Sequence, residues 1–220
     1  VADAALLPGM LEAEFDALSV TSPLKNAAAM LCDELSDVAT RTQSVNSLLR
    51  RDGVLSGAST DGEGLMDALA AAFGPVVENA HVVVLGAGGA ASAILDALVA
   101  HDASSVVVHG RNEQKVETLT GRYPNVFSAS LVYRPVDLIV NTIPVAGRDA
   151  EAAVLQGVHH DTVAVDITYE PAASEWRSRY AAAGCRTMNG LAMLAYQAAR
   201  QMTWWWGFDV PGAALLAELT

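Results

Sequence analysis

The sequence predicts an α/β protein, with a doubly wound parallel sheet preceded by a smaller α/β unit. Three observations carry that class. The apolar runs "VVVL" (82–85), "SSVVVH" (104–109), "VDLIVNT" (136–142) and "TVAVDIT" (162–168) are short, rich in β-branched residues and do not alternate with polar ones. Strands covered on both faces look like this. Helical stretches follow the first two runs, which gives βαβ order. The first is joined to its helix by the glycine turn "LGAGGAA" (85–91).

Residues 1–60 come before this pattern. "DALSVT" reads as a short strand. In the next stretch Ser22 suits a helix N-cap and Pro23 the first helical position, where its missing N–H costs nothing. Ala27 to Leu31 propagate the helix. Lys25 then falls in the first turn, at the positive end of the helix dipole, where a cation is disfavoured. A residue that breaks a local rule is expected at a functional site. Further strands are predicted near "SVNSLLRR" and "VLSGAST". A helix is predicted over 61–74, with Thr60 and Glu63 in a capping-box pattern. These few strands make a poor domain alone, so the unit reads as incomplete at its start. After the sheet, "GLAMLAYQAARQMTWWW" (190–206) reads as a long helix returning to the first unit, where Trp204, Trp205 and Trp206 pack, and a short helix follows Pro211. The expected division is 1–61 with 190–220 for the first unit and 62–189 for the second.

Composition narrows the function classes. The chain has 220 residues, 52% of them apolar, which suits one large or two small globular domains. Its 13 basic and 25 acidic side chains give a net charge of −12, the opposite of a nucleic-acid footprint. No apolar run reaches membrane-span length. The start lacks the basic and apolar regions of a leader. Cys32 and Cys185 are far apart and fit no metal spacing, as expected of reduced thiols in a cytoplasmic protein. His109, His159 and His160 also lack metal spacing, and no metal is predicted.

The turn itself reads Gly86-x-Gly88-x-x-Ala91. The first glycine permits the tight turn, the second lets backbone approach a pyrophosphate, and the small third residue permits close helix–strand packing. With the helix N-terminus offering N–H groups to phosphate, Gly86, Ala87, Gly88, Gly89 and Ala90 are predicted to bind a dinucleotide in a Rossmann-type unit. At the end of the second strand an NAD site usually places an acid on the ribose. Here Gly110, Arg111 and Asn112 stand instead, and Lys115 shares a helix face with Arg111. Two cations suit a 2′-phosphate, so NADP is the expected cofactor. Glu113 in the same loop opposes it.

Three polar clusters precede this unit: Thr21 to Lys25, Asn46-Ser47, and Thr60-Asp61. A lysine and an aspartate brought together make a proton-transfer pair. On these blocks the chain resembles the shikimate dehydrogenase family. "SVTSPLK" is similar to that family's Asn-Val-Thr-x-Pro-x-Lys block, "SVNSL" to Gly-Ala-x-Asn-Thr, and "GASTDGEGL" to Gly-x-Asn-Thr-Asp-x-x-Gly. "GAGGAA" matches its glycine turn, and "GRNEQK" resembles its phosphate clasp. "NTIP", "DITYEP" and "NGLAMLAYQAA" resemble three later blocks, in the right order from residue 19 to about 207.

The resemblance implies reversible reduction of 3-dehydroshikimate by NADPH to shikimate, in a cleft between two domains. It implies Lys25 and Asp61 as the catalytic pair, and Thr21, Asn46, Tyr169 and Gln197 as substrate-binding residues. Arg111 and Lys115 would hold the 2′-phosphate. Asn141, Thr142, Ile167, Gly190 and Met193 would line the cofactor. It also implies a preceding βαβ segment with a Ser-x-Ser motif that this sequence does not contain. Ser19, Ser47, Ser59 and Gly110 depart from the family blocks, which have Asn, Thr, Asn and Asn there. The expected partners are small molecules, with no nucleic acid or membrane, in a monomer or homodimer. Two alternatives are a quinate/shikimate dehydrogenase with relaxed cofactor use, which Arg111 and Lys115 oppose, and a non-catalytic binding module, which Lys25 and Asp61 oppose.

Overall fold

The computed structural model describes residues 4–12, 15–128, 135–143, 157–169 and 174–220. Pro144 of "NTIP" and Glu170-Pro171 of "DITYEP" lie outside them, as do the first three residues of the start.

The first unit opens with α1 (Leu7–Leu11) and β1 (Ala17–Ser19). Then come α2 (Lys25–Leu31), β2 (Glu34–Leu35), α3 (Asp37–Thr42), β3 (Ser47–Arg51) and β4 (Val54–Ala58). The strands form a mixed sheet in the order β1-β3-β4-β2, antiparallel except for β2 against β4. A two-residue turn, Asp52-Gly53, joins β3 to β4. Both residues have positive φ, 50° and 82°, as the turn matching a hairpin's twist requires. The unit is more helical than the sequence suggested, because α1 and α3 were not foreseen.

Two helix starts also differ from expectation. The Lys25 helix begins at Lys25, with Leu24 as its cap residue and no capping side chain. Thr21 O accepts from Leu24 N at 2.9 Å, closing a turn that leaves Ser22 and Pro23 outside the helix. Lys25 is thus its first residue. The Thr60–Glu63 capping box does not form. Thr60 Oγ1 is taken instead by Gln197 O, at 3.0 Å.

The helix α4 (Asp61–Phe73) leads into the larger unit, which runs β5 (His81–Leu85), α5 (Gly89–Ala100), β6 (Ser105–His109), α6 (Glu113–Thr120), β7 (Val126–Ser128), β8 (Leu138–Asn141), β9 (Val163–Asp166), α7 (Glu175–Ala182) and β10 (Arg186–Asn189). All its strand pairs are parallel, in the order β10-β9-β8-β5-β6-β7. Strand order reverses between β5 and β8. In such sheets the ligand crevice lies beyond the carboxyl ends of the strands at that point. The runs are non-alternating because both faces are covered: Val82 and Val84 belong to one core with α4 and α5, while Val83 and Leu85 belong to another with Trp176 and Tyr180 of α7. A third core, around Val45, Leu48 and Leu55, serves the smaller sheet.

The long helix α8 (Gly190–Trp206) and then α9 (Gly212–Leu219) close the chain. Gly64 lets α4 and α8 touch backbone to backbone, since a Cβ there would stand 2.6 Å from Gln197 Cα. Arg200 of α8 fixes the pair by clasping Asp67 of α4. The end of α8 meets the smaller sheet where Arg51 Nη2 donates to Trp205 O at 2.7 Å, while Trp206 is exposed and stacks on Phe208. Among the described residues no helix is long and apolar enough to cross a membrane.

Candidate active site

Beyond the carboxyl ends of β5, β6, β8 and β9 lies a cleft of about 1230 Å³. Its floor is the turn after β5. Gly86 has φ +113°, and a Cβ there would collide with Thr142 Oγ1, so glycine is required by both conformation and space. Thr142 is held against the turn by donating to Leu85 O at 2.8 Å. A Cβ on Gly88 would meet no protein atom within 4 Å, so the turn presents bare backbone. From Gly89 onward the first N–H groups of α5 point out of the helix end, unpaired within it. Arg111 and Lys115 stand on the rim after β6. Between them Asn112 caps α6, its Oδ1 accepting from Lys115 N at 2.9 Å. Thr142, Ile167 and the half-exposed Tyr169 line the cleft from the other strand ends.

Lys25 faces the same cleft from the smaller unit. Its Nζ donates to Asp61 Oδ2 at 2.6 Å, with the carboxylate almost wholly buried. The other oxygen, Oδ1, accepts from Asn46 Nδ2 at 3.0 Å. Asn46 is the hub of the cluster. Its Nδ2 also lies 2.9 Å from Thr60 Oγ1 and 2.9 Å from Gln197 Oε1, three acceptors for two amide hydrogens. Its Oδ1 accepts from Thr60 N and Ser47 Oγ. A short hydrogen bond to an ionised group is a strong one, and Asn46 leaves Asp61 no freedom to turn away. Four chain segments therefore meet: the start of α2, the entry to β3, the start of α4 and the middle of α8.

The remaining predicted residues are placed as follows. Thr21 is exposed in the turn before α2. Asn141 is fully buried, its Oδ1 accepting from Ile143 N and its Nδ2 facing Asp166, so it shapes the cleft wall from behind. Gly190 donates its N–H to Thr168 O and packs so closely that a Cβ would collide with Ile167 O. Met193 is part of the core. Sequence reasoning missed Gln201, which lies one turn after Gln197. Its Nε2 donates to Asn46 O at 2.7 Å and reaches Ser19 Oγ at 3.3 Å. Its spacing of four from Gln197 on one helix face was the available signal.

At the opposite ends of the strands, His159, His160 and Asp161 bring their ligand atoms within 4.8 Å of one another. Their bonds are spent locally: His159 Nδ1 accepts from Asp161 N, and His159 Nε2 faces Asp137. Cys32 and Cys185 are free, and burial together with Asp33 pushes the Cys32 thiol up to about 11.

Known proteins bear on this geometry. The family model described as "Shikimate / quinate 5-dehydrogenase" matches residues 68–155. An NADP(+) shikimate dehydrogenase from an Exiguobacterium species is 31% identical over 92% of this chain and 77% of its own. The chain belongs to the shikimate dehydrogenase family. Another relative, the NADP(+) shikimate dehydrogenase of Xanthomonas campestris, is 36% identical over 86% of this chain and 71% of its own. Among solved structures, a Thermus thermophilus shikimate 5-dehydrogenase in complex with NADP(H) and shikimate superposes with a TM-score of 0.87 at 28% identity, over 98% of this chain and 84% of that one.

Proposed function

We propose that this chain interconverts shikimate and 3-dehydroshikimate, using NADP. One observation carries the reading: Lys25, held from behind by the buried Asp61, and the bare glycine turn open onto one cleft. A proton relay facing a dinucleotide turn suits reversible oxidation of an alcohol. The relatives' names supply the substrate and the cofactor.

The residues present fit the cofactor. The turn at Gly86, Ala87, Gly88, Gly89 and Ala90 has no bulky side chain to keep a pyrophosphate away, and the N-terminal end of α5 favours its charge. Arg111 and Lys115 supply two cations for a 2′-phosphate. Thr142 and Ile167 shape the nicotinamide side, backed by Asn141 and by Gly190 packed against Ile167, while Met193 supports them from the core. When bound, NADP(H) accepts or supplies the hydride. The chain does the rest. Lys25 Nζ gives a proton to the substrate oxygen in reduction and recovers it in oxidation. Asp61 holds the ammonium in place and balances its charge. Asn46 fixes Asp61, and with Thr21, Tyr169 and Gln197 it orients the substrate. Closing the cleft would exclude water. We read the small-molecule ligands as the partners of a cytoplasmic monomer or homodimer, in keeping with a net charge of −12 and two free thiols.

The test is the initial rate of NADPH formation from shikimate and NADP+, with NAD+ as comparator. Shikimate-dependent turnover at least tenfold better in kcat/KM with NADP+ is expected if Arg111 and Lys115 act on the phosphate, a difference of about 1.4 kcal/mol. Absence of turnover with either cofactor, from folded protein that binds NADP+, would overturn the reading.

A further inference from the structure

Away from the cleft, a compact polar cluster joins the two units. Arg41, near the end of α3, donates through Nε and Nη2 to both carboxylate oxygens of Asp96 on α5, each at 2.8 Å. Asp96 is 5% exposed and accepts a third bond from Tyr123 OH, at 2.7 Å. Beside it Arg122 Nη1 donates to Ser92 Oγ at 2.8 Å, and Ser92 Oγ donates to Thr42 O at 2.9 Å. Arg122 also reaches Thr42 O, at 3.3 Å. The last carbonyl of α3 is thus gripped by the first turn of α5 and by the residues after α6. A planar guanidinium on a buried carboxylate fixes orientation as well as distance.

Short, stiff paths run from this grip to the chemistry. Toward the smaller unit, Thr42 is four residues before Asn46. The intervening chain is tied to the lysine helix: Asn26 Nδ2 donates to Gln43 O at 2.7 Å, and Val45 N to Lys25 O at 3.0 Å. Toward the larger unit, Ser92 is three residues after Gly89, within one turn of α5. The two paths meet at Gly89, where a Cβ would stand 3.1 Å from Ser44 Oγ and 3.4 Å from Lys25 Cβ. Any slip of α3 along α5 therefore moves Lys25 and Asn46 relative to the glycine turn.

We propose that the Arg41–Asp96–Tyr123–Arg122 clasp is a positioning device, which holds Lys25 and Asn46 in register with the glycine turn so that proton donor, substrate and cofactor align. It rests on the dehydrogenase reading. The clasp residues do not line the cleft and act through Thr42 and Ser92. Misplacement by about 1 Å costs up to about 10²-fold in rate, so a loosened clasp is read in turnover rather than in cofactor binding.

The experiment compares wild type with Arg41→Ala, Arg41→Lys and Tyr123→Phe in kcat, in Kd for NADP+, and in the isotope effect on kcat with NADPH deuterated at the transferred position. Arg41→Ala is expected to lower kcat about tenfold and to enlarge the isotope effect, with the NADP+ Kd within about twofold of wild type. Arg41→Lys, which keeps the charge and loses the fork, should fall between. Wild-type kcat and isotope effect in Arg41→Ala, with only the melting temperature lowered, would overturn the proposal. Tyr123→Phe removes a single hydrogen bond and decides the matter by the same readouts if Arg41→Ala does not fold. Should wild type itself show no turnover, the dehydrogenase reading fails on its own, and X-ray scattering then judges the clasp. A larger radius of gyration in Tyr123→Phe supports it, and an unchanged profile contradicts it.

Discussion

The glycine turn and the Lys25 cluster face each other across one cleft and are built on opposite principles. The turn is contiguous, five residues of nearly bare backbone, and it works by what is missing. The cluster draws Lys25, Asn46, Asp61 and Gln197 from four segments and works by what its side chains hold. The turn should therefore break when atoms are added, and the cluster when they are removed. The first failure should appear in cofactor affinity and the second in turnover.

The largest effect falls on the cluster. Asp61→Asn keeps the shape but keeps only one of the two accepted hydrogen bonds, and it strips the ammonium of its counter-charge. It should lower kcat roughly 10²-fold while the NADP+ Kd, read by fluorescence titration, stays near wild type. A loss confined to NADP+ affinity would erase the contrast between the two regions. Gly86→Ala comes next. It strains φ +113° and drives a methyl into Thr142 Oγ1, costing about 1–3 kcal/mol of stability and about tenfold or more in KM for NADP+. Thermal melting and saturation kinetics measure both. On the rim, Arg111→Ala should raise KM for NADP+ several-fold, with no comparable rise for NAD+. An equal rise with both cofactors would mean that Arg111 does not read the phosphate.

The smallest effect concerns pH and the clasp. Burial works to raise the Asp96 carboxyl, but the hydrogen bonds from Arg41 and Tyr123, and the charge of Arg41, outweigh it and hold the group below its ordinary range. Burial first, then the hydrogen bond and charge of Asp96, push the Tyr123 hydroxyl up, against the opposing charges of Arg122 and Arg41. An aspartate depressed in the fold stabilises the protein above its unfolded pKa, about 3.9, and the contribution is lost as pH falls through the folded value. Melting temperatures of wild type and Asp96→Asn should therefore differ most above about pH 4 and converge below it. A gap that widened with acid would reverse the sign.

The contrast between the regions also governs what the sequence could say. The turn was legible because its logic is local: strand, glycines and helix follow one another, and the non-alternating runs announced a sheet covered on both faces. Lys25 was legible as an anomaly, a cation at a helix start, and the structure places it at the first helical residue. Asn46 and Asp61 stood out as polar clusters at strand ends, but Gln197 was legible only through resemblance, since nothing local ties it to Asn46 across 151 residues. Where local rules misled, a tertiary bond had taken the group. Thr60 was expected to cap its own helix, and its hydroxyl instead joins α4 to α8 through Gln197 O. Ser22 was expected to cap the lysine helix, and the Thr21–Leu24 turn closes ahead of it. Gln201 left only its spacing of four from Gln197, its partner Asn46 lying 155 residues away, and the Arg41–Asp96 pair, 55 residues apart, left no motif at all.

The most direct test of one cleft joining two machines is Lys25→Met, assayed for shikimate oxidation and titrated with NADP+ in the same preparation. Without Lys25, kcat should fall roughly 10²-fold or more, with NADP+ binding intact. Full activity without Lys25 would contradict it.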